Sequence, residues 1–164
     1  TAFKGTKETG SASGTIKVKG NKFKIESSSL TTWFDGKTQW TLLAGSDEVN
    51  VSTPTAAELQ AINPYSFINI YKKGYIATLA KASYKGKSVH EVRLVATSKN
   101  SSMQKILLTI DPATLMPLSV RFKNAKGDWT RIRVRSIKTG RKFADAAFTF
   151  DAKQHPGIEV IDLR

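Results

Sequence analysis

Alternation of charged and apolar residues is the feature of this 164-residue chain that most constrains its fold. The alternation is clear in Lys17–Lys19 and Lys22–Ile25, and again in Leu118–Lys123 and Thr130–Arg135. A period of two predicts antiparallel strands with one buried face and one face in water. Strand signals recur about every ten residues between Gly, Asn and Asp clusters, which predicts a mainly β chain.

Length and composition predict a single domain spanning residues 1–164. A chain of this length buries roughly 70% of its unfolded surface, so a core can form without cross-links. The absence of Cys excludes disulfides, thiolate zinc sites and a Cys nucleophile. No apolar run approaches the roughly 20 residues that span a bilayer. Because the chain begins at Thr1 rather than Met, we expect an upstream segment removed by processing or cloning.

One stretch near the middle departs from the alternation. Thr55 and Glu58 have the spacing of a capping box, which predicts the start of a helix. Asn63-Pro64 ends that helix and can begin a second one with apolar residues at helical spacing. We expect these two short helices to form a lid over the sheet. The predicted lid residues are Leu59, Ile62, Phe67, Ile68 and Tyr71.

The first turn signal is Asp35-Gly36, which is typical of a two-residue turn between antiparallel strands. Such a turn pairs Trp33 with Thr38 across the hairpin. It therefore places Trp33 on the same face as Trp40 and Leu42.

Two later turns set the register in the second half of the chain. Lys85-Gly86 predicts another two-residue turn. At residues 125–127 a three-residue loop, with Gly127 in the left-handed region, keeps apolar residues opposite apolar residues, whereas a two-residue loop mixes the faces. These two turns predict the pairs Leu79–Val92 and Val120–Ile132.

Together these hairpins predict a single long, curved antiparallel sheet with one apolar face and one basic face. Two short helices are too small to fill the apolar concavity, so we expect a cavity that binds apolar ligands. The residues predicted to line it are Val18, Phe23, Ile25, Trp33, Trp40, Leu42, Val49, Leu94, Ile106, Leu108, Val120, Phe122 and Ile132.

The net charge of +13 raises the prospect of a nucleic-acid or anionic-membrane partner. The stripe Arg131, Arg133 and Arg135 falls on the outer phase, with Arg121 predicted opposite Arg131. A nucleic-acid platform would carry aromatic residues among the basic ones. Because the aromatics follow the apolar face, we predict no nucleic-acid partner. The charge instead suits an anionic membrane surface or an acidic partner.

No motif predicts catalysis. The acidic residues are scattered through turns, and P-loop, GxGxxG and HExxH motifs are absent. His90 follows the apolar phase without a neighbouring Ser or Asp, which favours a structural role, and His155 falls in a loop before the last strand. An enzyme is therefore the least favoured class, and no metal site is predicted.

Six segments spread over nearly the whole chain carry a further signal: Gly14–Ile25, Thr32–Trp40, Asp47–Val51, Ile110–Pro117, Gly127–Ile132 and Phe148–Arg164. In order and spacing they resemble the periplasmic lipoprotein carriers of the LolA type, and most closely the divergent LolA-like branch.

The resemblance implies an unclosed β-barrel with lid helices and a hydrophobic cavity that holds acyl chains. It implies a non-enzymatic periplasmic carrier without a cofactor, its signal peptide removed upstream of residue 1. Such a carrier receives acylated lipoproteins from an inner-membrane ABC exporter and delivers them to an outer-membrane receptor. We expect a monomer. Two alternatives stay open: a free lipid or glycolipid binder, and a basic module that binds an anionic polymer.

Two departures from the family pattern stand out. Lys19-Gly20 occupies the place of the family's Arg-Pro pair, whose Arg is tied to lid opening, and Lys19 could replace that Arg only as a point charge. The family also begins with an amphipathic helix before its first strand, whereas residues 1–5 here already predict a strand.

Overall fold

The computed structural model describes residues 1–55, 58–59 and 74–164. Within them the chain is mainly β, as the alternation predicts, and residues 2–4 form a strand. The strands are β1 (Ala2–Lys4), β2 (Lys7–Gly10), β3 (Gly14–Lys19), β4 (Lys22–Ser27), β5 (Leu30–Phe34), β6 (Gln39–Leu43), β7 (Glu48–Ser52), β8 (Tyr75–Tyr84), β9 (Lys87–Ala96), β10 (Met103–Ile110), β11 (Pro117–Asn124), β12 (Trp129–Arg133) and β13 (Glu159–Asp162).

The strands form two open sheets instead of the single continuous sheet predicted. One has seven strands in the order β2-β1-β12-β11-β10-β9-β8, and the other has six in the order β13-β7-β6-β5-β4-β3. The first change of sheet along the chain comes after β2, an edge strand that is exposed along its length and carries no apolar side chain, so β2 does not extend the apolar face. Neither sheet closes on itself, which agrees with the expected unclosed architecture.

Contacts within the chain divide it into two compact units that follow the two sheets. The first unit comprises Thr1–Ser11 and Gln60–Lys138, and the second comprises Ala12–Leu59 and Thr139–Arg164.

The predicted register of the seven-stranded sheet is confirmed. Lys85 and Gly86 both have positive φ, 52° and 77°, as a two-residue turn of this type requires. Gly127 has φ 93° at the end of the three-residue loop, and Asn124 pairs with Asp128 across it through a 3.0 Å backbone hydrogen bond. The pairs Leu79–Val92 and Val120–Ile132 form as predicted.

The six-stranded sheet is antiparallel except for β13, which pairs with β7 in parallel. A C-terminal segment, residues 143–158, precedes β13 and contains two short 3-10 helices, Asp145–Phe148 and Ala152–Gln154. Phe148 is completely buried, and its helix packs on β4 and β5.

The predicted register of the β5–β6 hairpin is wrong by two residues. Trp33 lies opposite Trp40 rather than Thr38, because the loop has four residues instead of two. The Asp35 carboxylate accepts hydrogen bonds from the amides of Lys37 and Thr38, at 2.9 and 2.8 Å, and this side-chain turn widens the loop. The face assignment survives, since the register changes by an even number of residues.

The capping box is confirmed. The Thr55 amide and hydroxyl donate to Glu58 Oε2 at 2.7 and 2.8 Å, and the Glu58 amide donates back to Thr55 Oγ1 at 3.3 Å. The Leu59 amide donates to the Thr55 carbonyl, which is a helical hydrogen bond. The other predicted lid residues, Ile62, Phe67, Ile68 and Tyr71, and the Asn63-Pro64 break lie outside the described residues.

Candidate functional site

The apolar face of the seven-stranded sheet brings together six of the residues predicted to line the cavity. Cross-strand pairing places Ile106 between Leu94 and Phe122, and Leu108 beside Val120, which in turn faces Ile132. These side chains belong to one packed cluster with Met103. The fully buried members are Leu94, Ile106 and Val120, at 1%, 0% and 2% exposure.

This face continues onto the edge strand β8, where it is open. Leu79 pairs with Val92 on the apolar face and is 70% exposed, and Ala77 pairs with Leu94. His90 lies on the same face, half-buried and opposite Ile110. The site is thus a sheet face with a buried centre and an exposed apolar margin.

The six-stranded sheet divides the other seven predicted residues between its two faces, so their placement on one face is wrong. Val18, Phe23 and Ile25 lie on one face, and Trp33, Trp40, Leu42 and Val49 lie on the other.

A serine turn is the cause of this division. A two-residue turn at Ser28-Ser29 joins β4 to β5, so Phe23 pairs with Phe34 and shares a face with it rather than with Trp33. The Ser27 hydroxyl fixes the turn by accepting hydrogen bonds from the amides of Ser29 and Leu30.

Because the face of β5 is predicted wrongly, Phe34 is missing from the predicted lining residues, although it lies on the same face as Phe23. Its ring lies 5.1 Å from the Phe23 ring, and both side chains are buried, at 3% and 1% exposure. The signal that could have located it is the Ser27 turn, because a two-residue turn there reverses the face of every residue in β5.

Trp33 is covered by the C-terminal segment. Its ring meets Phe150 and His155 edge-on at 5.5 and 5.6 Å, and the Lys24 ammonium lies 5.2 Å from its centre. His155 also stacks on Phe150 at 5.0 Å. Trp33 is only 5% exposed, so it serves the packing of this segment. A small cleft of about 250 Å³ remains beside it, lined mainly by polar residues.

Lys19 holds the same segment to β3. Its ammonium donates to the Phe143 carbonyl at 2.9 Å and to Asp145 Oδ1 at 2.8 Å, while Lys22 Nζ lies 3.0 Å from Asp145 Oδ2. Hydrogen bonds from Lys19 and then Lys22 lower the pKa of Asp145. Lys19 therefore acts as a cation that ties the C-terminal segment to the sheet, and a planar guanidinium is not needed for these contacts.

Charged residues occupy much of the other face of the seven-stranded sheet, which also buries Val89 and Leu107, at 3% and 8% exposure. Arg121 lies directly opposite Arg131, as predicted. The expectation that the aromatics keep to the apolar face is wrong here, since Trp129 pairs with Lys123 and Phe3 pairs with Trp129 on the charged face. The alternation of Thr130–Arg135 already puts Trp129 in the phase of Arg131, so the expectation overlooked it, whereas Phe3 lies in a three-residue strand that is too short to assign a face.

The described residues hold neither a metal centre nor a membrane-spanning helix. Over residues 1–55, 58–59 and 74–164, no group of three or more His, Asp or Glu side chains could hold a metal ion. None of the helical residues in those ranges belongs to a helix with the length and apolar character to cross a membrane.

Comparison with known proteins identifies the family. The family model described as "Outer membrane lipoprotein carrier protein LolA" matches residues 1–126, which contain β1–β11. No curated protein matches the chain.

Several solved structures are similar at low identity. They include an uncharacterized conserved protein from Thermus thermophilus, 13% identical with a TM-score of 0.48, covering 87% of this chain and 75% of that one. A LolA superfamily protein from Nitrosomonas europaea is 12% identical with a TM-score of 0.43, covering 85% and 81%. A putative outer membrane lipoprotein-sorting protein domain from Vibrio parahaemolyticus is 15% identical with a TM-score of 0.36, covering 64% and 59%. The family match extends over more than half of the chain, and the chain therefore belongs to the LolA family of outer membrane lipoprotein carrier proteins.

Proposed function

We propose that this protein is a non-enzymatic periplasmic carrier that binds the acyl chains of lipoproteins and shuttles them from the inner to the outer membrane. The observation that carries the proposal is the family match over residues 1–126. The matched region supplies most of the apolar face of the seven-stranded sheet, through β8–β11.

The acyl chains lie along that apolar face. Leu79 and Ala77 form its exposed margin, and the cluster around Ile106 forms its floor. Burying one CH₂ group contributes about 0.8 kcal/mol, so a single long acyl chain outweighs any polar contact with the cargo. A membrane stabilises each CH₂ group by about the same free energy, so the net free energy of transferring an acyl chain between membrane and carrier is small. The direction of delivery is therefore set by the lid and by the partner proteins.

The lid helices cover the acyl chains in this scheme. Leu59, Ile62, Phe67, Ile68 and Tyr71 supply their apolar side chains. The Thr55–Glu58 capping box supports this role because it fixes where the first helix begins. The partners are an inner-membrane ABC exporter that loads the carrier and an outer-membrane receptor that unloads it.

The test is native mass spectrometry of the protein purified from a Gram-negative periplasm. We expect a one-to-one complex with lipoprotein, whose mass includes the acyl chains. Free lipid or glycolipid as the only ligand would replace the proposal by a lipid-binding function, and an empty protein that takes up no fluorescent fatty acid would contradict both.

A matched pair of variants locates the site. Leu79→Asp places a charge on the exposed margin of the apolar face, whereas Leu163→Asp alters a similarly exposed leucine, 64% against 70%, in the other unit. Because a buried leucine contributes about 1.5–3 kcal/mol, we expect Leu79→Asp to lower lipoprotein binding by at least about tenfold. Leu163→Asp should leave it unchanged. Equal binding by both variants would exclude this face.

A further inference from the structure

Six cations from four adjacent strands share the second face of the seven-stranded sheet. We call it the basic face; its members are Arg93, Lys105, Arg121, Lys123, Arg131 and Arg133. The register places Arg121 directly opposite Arg131, and Lys105 directly opposite Lys123. Like charges at directly opposite positions destabilise a sheet. An anion bound to the face would offset this repulsion.

The charge of the basic face is scarcely neutralised from within. Glu91 is the only carboxylate in the sequence of β9–β12. It is buried and accepts hydrogen bonds from Arg93 at 2.7 Å and Arg121 at 3.3 Å. Among the residues that the structure describes, the other four cations contact no carboxylate within 4.0 Å. Glu8 lies further along the sheet, opposite Phe3 at its edge.

Aliphatic side chains are exposed on the same face. Val95 pairs with Lys105 and is 48% exposed, and Ile76 pairs with Val95 and is 62% exposed. Trp129 lies beside Lys123. Cations with exposed aliphatic groups and a Trp match the interface of a bilayer, where cations meet phosphates and apolar groups enter the headgroup region.

A nucleic acid suits this surface less well. It would attract the cations, and Trp129 could stack on a base, but it gains nothing from the exposed Val95 and Ile76. The Phe3 ring, which could stack on a base, already has the Arg131 guanidinium 4.9 Å from its centre.

We propose that the basic face docks onto a lipid bilayer containing anionic phospholipid. The proposal goes beyond acyl-chain binding, since none of these side chains lies on the apolar face. The protein would then approach a membrane with its charged face while its apolar face stays available for cargo.

Vesicle binding by lipoprotein-free protein tests the proposal. The basic-face variant is Lys105→Gln/Lys123→Gln/Arg131→Gln/Arg133→Gln, which spares the two arginines that neutralise Glu91. The control is Lys7→Gln/Lys37→Gln/Lys138→Gln/Lys153→Gln, which removes the same charge from exposed lysines outside β9–β12. Both variants are first checked for an unchanged thermal unfolding midpoint.

Phosphatidylcholine vesicles containing about 30% phosphatidylglycerol should bind the wild type, and pure phosphatidylcholine vesicles should not. We expect the basic-face variant to bind at least about tenfold more weakly than the wild type, and the control less than about twofold more weakly. An equal loss in both variants would mean that only total charge matters, and would overturn the proposal.

A fluorescent reporter separates the bilayer from other anions. The chain has no Cys, so Val95→Cys and Lys37→Cys each give a single site for an environment-sensitive dye. On anionic vesicles the dye at position 95 should shift to shorter wavelength, and the dye at position 37 should not. If the position-95 dye does not shift, or if only single-stranded DNA binds through the basic face, the proposal is wrong. Because no lipoprotein is present, either failure leaves the carrier proposal unaffected.

Discussion

The seven-stranded sheet has its apolar cluster on one face and six cations on the other, where Val89 and Leu107 are also buried. The six-stranded sheet has large aromatic residues buried on both faces. In the first, Leu94 and Ile106 lie on the apolar face and Arg93 and Arg121 lie behind them. In the second, Phe23 is buried on one face and Trp33 on the other, beneath the C-terminal segment. The aromatic residues of the six-stranded sheet are thus used up in packing, whereas the seven-stranded sheet leaves the apolar margin at Leu79 exposed, where a ligand can reach it.

The largest effect is expected where the C-terminal segment is anchored. Phe148 is completely buried and packs beside the Phe143 ring at 6.0 Å. Phe148→Ala should lower the free energy of unfolding by about 3–5 kcal/mol, because it leaves a cavity under the segment. Urea unfolding followed by Trp fluorescence measures it. Phe143→Ala, at a half-buried position, should cost clearly less; equal losses would contradict the anchoring role of Phe148.

A smaller effect tests the division of faces in the six-stranded sheet. Phe23 and Phe34 are in ring contact, whereas Phe23 and Trp33 lie on opposite faces. A double-mutant cycle with alanine should give a coupling energy of about 0.5–1.5 kcal/mol for Phe23 with Phe34. The cycle for Phe23 with Trp33 should give a coupling near zero. Coupling of Phe23 to Trp33 instead of Phe34 would restore the register that the sequence predicts.

The smallest effect concerns the exposed Lys19–Asp145 pair. Hydrogen bonds from Lys19 and Lys22 lower the pKa of Asp145 in the folded protein below its unfolded value. The stabilisation is therefore present above the unfolded pKa of about 3.9, and it is lost as pH falls through the folded pKa. Asp145→Asn should lower the thermal unfolding midpoint at neutral pH and reduce its decline in acid.

Salt provides the control for this last prediction. The difference between wild type and Asp145→Asn should shrink at high ionic strength, because exposed charges are screened. An undiminished difference would show that the segment is held by packing and backbone contacts rather than by charge.

The parts of the fold that could be predicted are those fixed by glycine turns. Gly86 and Gly127 sit where positive φ is needed, and the loop lengths they set gave the correct pairs for β8–β9 and β11–β12. All six predicted residues in that sheet consequently share one face. The Asp35 side chain widens its turn, but the register shifts by an even number of residues, so the predicted faces of β5 and β6 relative to each other remain correct.

The six-stranded sheet could not be assigned in the same way. The turn after Ser27 is stabilised by the Ser27 hydroxyl. Serine side chains often bond to nearby backbone groups without forming a turn, so the sequence does not mark this turn clearly. Trp33 is covered by Phe150 and His155, which lie more than a hundred residues away in sequence. The period-two pattern predicts which face a residue takes but not which distant segment packs on that face. For this reason the sequence predicts that Trp33 lines the cavity, whereas the structure shows that it packs against the C-terminal segment.

The most direct test of the account asks which face of the seven-stranded sheet meets an acyl chain. Ala77 and Thr78 are neighbouring exposed residues of β8 that point to opposite faces, since Ala77 pairs with Leu94 and Thr78 with Arg93. A fluorophore is attached to Ala77→Cys or to Thr78→Cys, and a brominated fatty acid is added as quencher. We expect strong, saturable quenching at position 77 and little at position 78. Equal quenching at both positions, or stronger quenching at position 78, would contradict acyl-chain binding on the apolar face.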